Sequence, residues 1–240
     1  MSSTIKPIVQ HVGQQHIIYD SSAAEPILPQ WLDVEYWQEQ ARVDAVGLGR
    51  GMAWFITTSN AEYVLRHYRR GGMVAKISND KYLWTGLEKT RAWCEWRLLA
   101  YLQQLQLPAP VPVAARVHQS GMFYSADLLT ERLANTRSLS HVLQEQSLEN
   151  SAWKQIGNTI QQFHQDQIYH ADLNAHNILL GDAGQIYLID FDRGRIKPGE
   201  QWKQENLNRL RRSLDKLTNQ LPDFHFKAED WQDLIRGYKG

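Results

Sequence analysis

The chain has 240 residues, 42% of them hydrophobic and 22% charged, with nine Trp and ten Tyr; this excludes a disordered protein and suffices for one large domain or two lobes. Its formal net charge is zero, so overall charge implies no nucleic-acid partner, and a single cysteine, Cys94, excludes an internal disulfide framework. No apolar run approaches the roughly 18 residues of a membrane span and Met1-Ser2-Ser3-Thr4 does not open a secretory signal, so any membrane contact is expected to be peripheral.

Residues 1–44 read as an N-terminal extension with strand-like Ile17-Ile18-Tyr19, punctuation at Pro26 and Pro29, and a short amphipathic helix from Trp31 to Gln40. Residues 45–133 read as a first lobe. It opens on Gly47-Leu48-Gly49-Arg50-Gly51, between residue 45 and the strand Met52 to Thr57; a second strand runs from Tyr63 to Tyr68. Gly47, Gly49 and Gly51 carry no Cβ, so such a turn lets backbone approach phosphate closely, although the pattern alone is also that of an ordinary hairpin turn. The second strand should carry a cation for phosphate oxygens, which is Arg66, or Arg69 if the register slips; Arg stays charged and forks onto oxygen where Lys is the usual residue. A helix is predicted from Trp84 to Gln106, ended by Leu107-Pro108-Ala109-Pro110, and within it Glu95 is the natural partner for that cation. Glu95 has Arg91 and Arg97 as alternative partners on the helix surface. Val111 to Arg116 and Phe123 to Leu129 complete the strands, and Thr130-Glu131-Arg132-Leu133 is a connection whose backbone at Glu131 and Leu133 is positioned to meet an adenine.

Residues 134–240 read as a second lobe. Ser138 is placed to cap a short helix through Glu145, and Trp153, Ile156, Ile160 and Phe163 recur at helical spacing as core. The chemistry concentrates in His170-Ala171-Asp172-Leu173-Asn174-Ala175-His176-Asn177, followed by Ile189-Asp190-Phe191-Asp192. A phosphoryl-transfer site of the protein-kinase type needs an Asp to receive the acceptor's proton, an Asn five residues on, and a second Asp beyond. Asp172, Asn177 and Asp190 satisfy this, and Ile178 to Leu180 with Ile186 to Ile189 form two strands around the turn Gly181 to Gly184, which should return Asp190 beside Asn177. Two oxygen ligands at one place suit Mg²⁺. His164 and His170 read as structural hydrogen-bonders.

Two stretches are locally basic. Tyr63 to Lys76 holds four Lys/Arg and no acid, and Arg193 to Lys216 holds eight against three acids. No Ala-Pro-Glu motif follows Asp192 and fewer than 50 residues remain, so a peptide-binding platform is not expected and the acceptor should not be a protein.

Tyr169 to Leu180, Tyr187 to Gly194, Leu65 to Gly72 and Leu107 to Pro112 resemble the bacterial 3-deoxy-D-manno-octulosonic acid (Kdo) kinases, over about residues 45–215. The resemblance implies an α+β, compact bilobal protein-kinase-like fold with an antiparallel-sheet first lobe and a mainly helical second one. It implies ATP-dependent phosphorylation of the 4-hydroxyl of Kdo on a lipid A precursor, at the cytoplasmic face of the bacterial inner membrane. Asp172 would then be the proton acceptor, with Mg²⁺ on Asn177 and Asp190. An anionic acceptor on an anionic surface gives the basic stretches a partner: Arg69, Arg70, Arg193, Arg195, Arg209, Arg211 and Arg212 are expected substrate and membrane contacts, or else a solvated basic face. A soluble kinase of the aminoglycoside or choline type and a nucleotide-binding pseudokinase scaffold are the alternatives.

Overall fold

A glycine with positive φ, Gly13 (φ 58°), lets the chain reverse between β1 (Pro7–Val12) and β2 (Gln15–Asp20), the first of a series of antiparallel pairings. The computed structural model describes residues 5–22, 27–48, 51–69 and 80–240. They divide into two units, one of Met1–Gln106 with Pro110–Arg132 and one of Leu107–Ala109 with Leu133–Gly240. Helices and antiparallel sheets are mixed along the chain, an α+β organisation.

The first unit is built on an eight-stranded sheet. Its other strands are β3 (Val43–Leu48), β4 (Gly51–Thr57), β5 (Glu62–His67), β6 (Tyr82–Leu83), β7 (Pro112–Ser120) and β8 (Phe123–Glu131). The order is β1-β2-β7-β8-β5-β4-β3, with β6 against β8. Strand alternation places Ile17 and Ile18 on opposite faces. Ile17 joins Trp31, Leu32 and Trp37 in one buried cluster, whereas Ile18 lines a cavity with Trp96 and Ala100 of helix α2 (Arg91–Gln104). Of residues 1–44, expected to stand ahead of the first lobe, β1 and β2 therefore supply an edge of its sheet, and Ile17, Trp31, Leu32 and Trp37 part of its core, because β2 pairs with β7 through Ile18↔Ala115.

Two helix boundaries differ from expectation. The segment Trp31 to Gln40 is a 3₁₀ turn, Pro29–Leu32, and a separate α1 (Val34–Glu39), broken at Asp33, whose φ and ψ are extended. The predicted helix from Trp84 begins at Arg91 instead: Gly86 has φ 106° and Thr90 is extended, so only a 3₁₀ turn, Leu87–Lys89, precedes it. β3 had no counterpart in the predicted elements. Its strand signal, Val43 to Leu48, is interrupted by Asp44 and Gly47, and pairing with β4 supplies what propensity does not.

In the second unit β9 (Thr136–Ser138) leads into α3 (Leu139–Glu145), where the Ser138 hydroxyl accepts from the His141 N–H at 3.2 Å as the sequence predicts. Helix α4 (Asn150–Gln165) buries Trp153, Ile156, Ile160 and Phe163 completely or nearly so. Then come β10 (Ile168–Tyr169), β11 (Ile178–Gly181), β12 (Ile186–Leu188), β13 (Arg195–Ile196), α5 (Gln201–Gln220) and α6 (Ala228–Lys239). α4 and α6 approach so closely that a Cβ at Gly157 would collide with the Leu234 carbonyl oxygen and one at Gly237 with the Lys154 carbonyl oxygen.

Candidate active site

The hairpin of β11 and β12 does what the spacing predicts. Ile178 pairs with Leu188, and the Ile189 N–H donates to the Asn177 carbonyl at 3.0 Å, so Asp190 leaves the hairpin next to Asn177. Asp190 adopts a left-handed backbone, φ 61°, a costly conformation for a residue other than glycine and one that clusters at functional sites. Phe191 explains how that conformation is held: it is fully buried, stacked on Phe163 of α4 at 5.6 Å and tilted against His170 at 4.7 Å.

The loop before the hairpin is anchored from several directions. Leu173 and Ala175 are fully buried pegs. The His170 ring is bonded through Nε2 to the Ile189 carbonyl at 2.9 Å, and its Nδ1 accepts from the Asp172 N–H at 3.2 Å. These two contacts fix the tautomer, with Nε2 carrying the proton; burial pushes the His170 pKa below its ordinary value, which suits a neutral structural imidazole. Nδ2 of Asn177 donates to the Asp172 carbonyl at 2.9 Å, which commits the NH₂ group to backbone and turns the amide oxygen the other way. The chain returns Asp190 beside Asn177, and an amide oxygen with a carboxylate is a pair of hard oxygen donors whose chemistry fits Mg²⁺. Asp172 itself stays open, its side chain 57% exposed.

α5 supplies a contact to Asp172 that residue order does not reveal. Arg209, expected to face substrate or membrane, puts Nη1 at 3.0 Å from Asp172 Oδ1. Asn206 donates from Nδ2 to the His170 carbonyl at 2.6 Å, and the Ser213 hydroxyl accepts from the Ala175 N–H at 3.2 Å. Asn206 and Ser213 have no motif to mark them; the faint signal is polar residues on the apolar stripe of an amphipathic helix. Arg211 and Arg212 are ion-paired with Asp215 at 2.7 Å and Glu205 at 2.6 Å. The Arg195 guanidinium lies 5.0 Å from the centre of the Tyr169 ring, and Arg193 has φ 59°.

In the first unit Arg66 Nη2 is 2.5 Å from Glu95 Oε1, joining strand β5 to helix α2, while Arg97 pairs with Glu88 at 2.5 Å and Arg91 donates to the Tyr82 hydroxyl at 2.6 Å. Glu95 is almost wholly buried and Arg66 a quarter exposed, so the cation keeps an open side. The Tyr68 hydroxyl, which the sequence reading passed over, donates to the second Glu95 oxygen; burial and then the neighbouring carboxylate hold its own proton on firmly. Arg69 is exposed. Gly47 and Gly51 sit at the facing ends of β3 and β4, with Leu48 paired to Gly51. Gly49 and Arg70 lie outside the described residues. The Glu131 N–H is already given to the Val111 carbonyl at 2.9 Å, so that amide is not offered to a base, and the Leu133 carbonyl accepts from the Thr136 hydroxyl at 2.7 Å.

Comparison with known proteins finds a match to the lipopolysaccharide kinase (Kdo/WaaP) family over residues 34–238. The chain is similar to the 3-deoxy-D-manno-octulosonic acid kinase of Actinobacillus succinogenes, 40% identical over 95% of this chain and 98% of that one. It is equally similar, at 40% identity, to the proteins of that name from Vibrio cholerae, over 85% of this chain and 87% of the relative, and Photobacterium profundum, over 94% and 95%.

Proposed function

Because the chain belongs to the lipopolysaccharide kinase (Kdo/WaaP) family, we propose that it is an ATP-dependent phosphotransferase that phosphorylates Kdo in lipopolysaccharide core biosynthesis, at the 4-hydroxyl of Kdo carried on a lipid A precursor. What carries this reading is the union of Asp172, Asn177 and Asp190 through the Ile189 to Asn177 hydrogen bond, in a chain alike over most of its length to proteins called Kdo kinases.

In the second unit, Asp172 receives the proton of the attacking hydroxyl. Its backbone is held by His170 and its carbonyl by Asn177, so the carboxylate meets the acceptor without first having to be ordered. Asn177 and Asp190 would hold Mg²⁺, which when bound neutralises charge on the phosphates. In the first unit, Arg66 anchors the upstream phosphates, with Glu95 and Tyr68 fixing its direction, and Gly47, Gly49 and Gly51 bring backbone to the same groups. The backbone at Glu131 and Leu133 meets adenine, through groups other than the committed Glu131 amide.

No helix among the described residues is long and apolar enough to cross a membrane. An acceptor borne on lipid would bring the enzyme peripherally to the cytoplasmic face of the inner membrane, where a basic residue gains about 1 kcal/mol near anionic headgroups; Arg69 and Arg70 of the first unit and Arg193 and Arg195 of the second are the candidates. Arg211 and Arg212, their charges matched by Asp215 and Glu205, contribute less.

Transfer of label from γ-labelled ATP in the presence of Mg²⁺, with Kdo-bearing lipid A precursor, the same lipid without Kdo and an aminoglycoside offered in parallel, tests the reading. Label on the Kdo-bearing lipid alone is the expected result. Label on the aminoglycoside, or none despite bound ATP, would overturn it.

A further inference from the structure

Three side chains on one face of α5 address the loop that carries Asp172. Asn206, Arg209 and Ser213 are spaced three and four residues apart, so they lie along one stripe of the helix. The outer two are anchors: Asn206 holds the His170 carbonyl at 2.6 Å and is itself fixed by His164 Nε2 at 3.1 Å, and Ser213 receives the Ala175 N–H at 3.2 Å. Arg209, between them, is thereby set on Asp172 at 3.0 Å. The other α5 arginines paired with acids, Arg211 and Arg212, find those partners within the helix.

Stability does not account for this placement. Asp172 and Arg209 are 57% and 44% exposed, and an ion pair so open to water contributes between nothing and about 1 kcal/mol. A guanidinium presents five N–H donors in a rigid fork matched to a carboxylate, and the contact to Asp172 engages Nη1 alone. The remaining donors belong to a half-exposed guanidinium that lies beside the carboxylate proposed to receive the acceptor's proton.

We propose that Arg209 is the acceptor's carboxylate anchor. Resting on the Kdo-kinase reading above, the guanidinium bridges Asp172 and the carboxylate of the octulosonic acid, a group that neutral sugars and aminoglycosides lack. The bridge turns the ring so that its hydroxyl, rather than its acid, faces Asp172. It also screens the acceptor's negative charge from Asp172, which would otherwise repel it. Selection for an acidic sugar is thus built in beside the base.

The test compares two acceptors, the Kdo-bearing lipid A precursor and the same molecule with its carboxylate converted to the carboxamide, on the wild-type chain, Arg209→Gln and Arg209→Lys. The wild type is expected to favour the acid by roughly 10- to 100-fold in kcat/KM, the worth of a charge-assisted pair. Arg209→Gln should lose that preference, through KM for the acid, with KM for ATP unchanged, and Arg209→Lys should recover part of it. Retained preference in Arg209→Gln, or an equal loss on both acceptors, would overturn the anchor. Transfer by the wild type to neither acceptor would overturn the activity reading and the anchor with it.

Discussion

Asp172 and Glu95 are both carboxylates beside an arginine, and their surroundings give them different work. Asp172 is open to solvent and its arginine comes from a neighbouring helix, so on the proposed function it meets the acceptor; Glu95 is buried and bound to Arg66 and Tyr68, so on the same proposal it aims the cation. The two should separate kinetically. Asp172→Ala is expected to lower kcat by at least about 10³-fold while ATP affinity, read by calorimetry, stays within about threefold, since a group used in the transition state is lost. Glu95→Gln should chiefly weaken ATP binding, by roughly tenfold, because Arg66 loses its charged support; an unchanged KM for ATP would remove Arg66 from the nucleotide site.

At the scale of elements, the second unit rests on the contact of α4 with α6, and that contact depends on two glycines. Gly157 and Gly237 are helical, so their importance is not backbone freedom but the absence of a Cβ where the opposing carbonyl oxygen already sits. Gly237→Ala or Gly157→Ala must push the helices apart. An overpacked contact costs about 1–3 kcal/mol, and here the obstacle is backbone that cannot rotate away, so a melting-temperature drop of roughly 5–10 °C is expected for either variant. Gly199→Ala, with φ 100° but nothing near its Cβ, should cost less; equal effects would mean that close helix contact is not the cause.

For the whole molecule, pH dependence follows from histidines buried as neutral rings. Burial holds His164 down to about 4 from an ordinary value near 6.5, and His170 is lowered for the same reason. Between those two values the unfolded chain binds a proton that the folded His164 refuses, so stability present above pH 6.5 is lost as pH falls, by up to about 3 kcal/mol at the lower end. His67 acts in the other direction: its hydrogen bond to Asp127 raises it, so its contribution is full below pH 6.5 and lost as pH rises through the raised value. Urea midpoints measured from pH 6.5 to 5 should therefore fall, and the fall should be shallower in His164→Asn. A wild-type midpoint that holds steady over this range would contradict a neutral buried His164.

The loop from His170 to Asn177 and its returning hairpin were legible from residue order because every constraint on them is local: a five-residue spacing, two short strands and one turn. The Ser138 cap and the apolar face of α4 were readable for the same reason, as was the pairing of Arg66 with Glu95, although Arg91 and Arg97 competed for it on sequence grounds. Tertiary structure alone decided what depends on distant segments meeting. Residues 1–44 read as an extension since their strands are ordinary until β2 finds β7, and α2 starts at Arg91 because Gly86 takes a positive φ of 106° and Thr90 is extended. Arg209 was visible as one charge among many on α5; that it reaches Asp172, 37 positions earlier, follows from Asn206 and Ser213 clamping the helix to the loop, a geometry that no periodicity encodes.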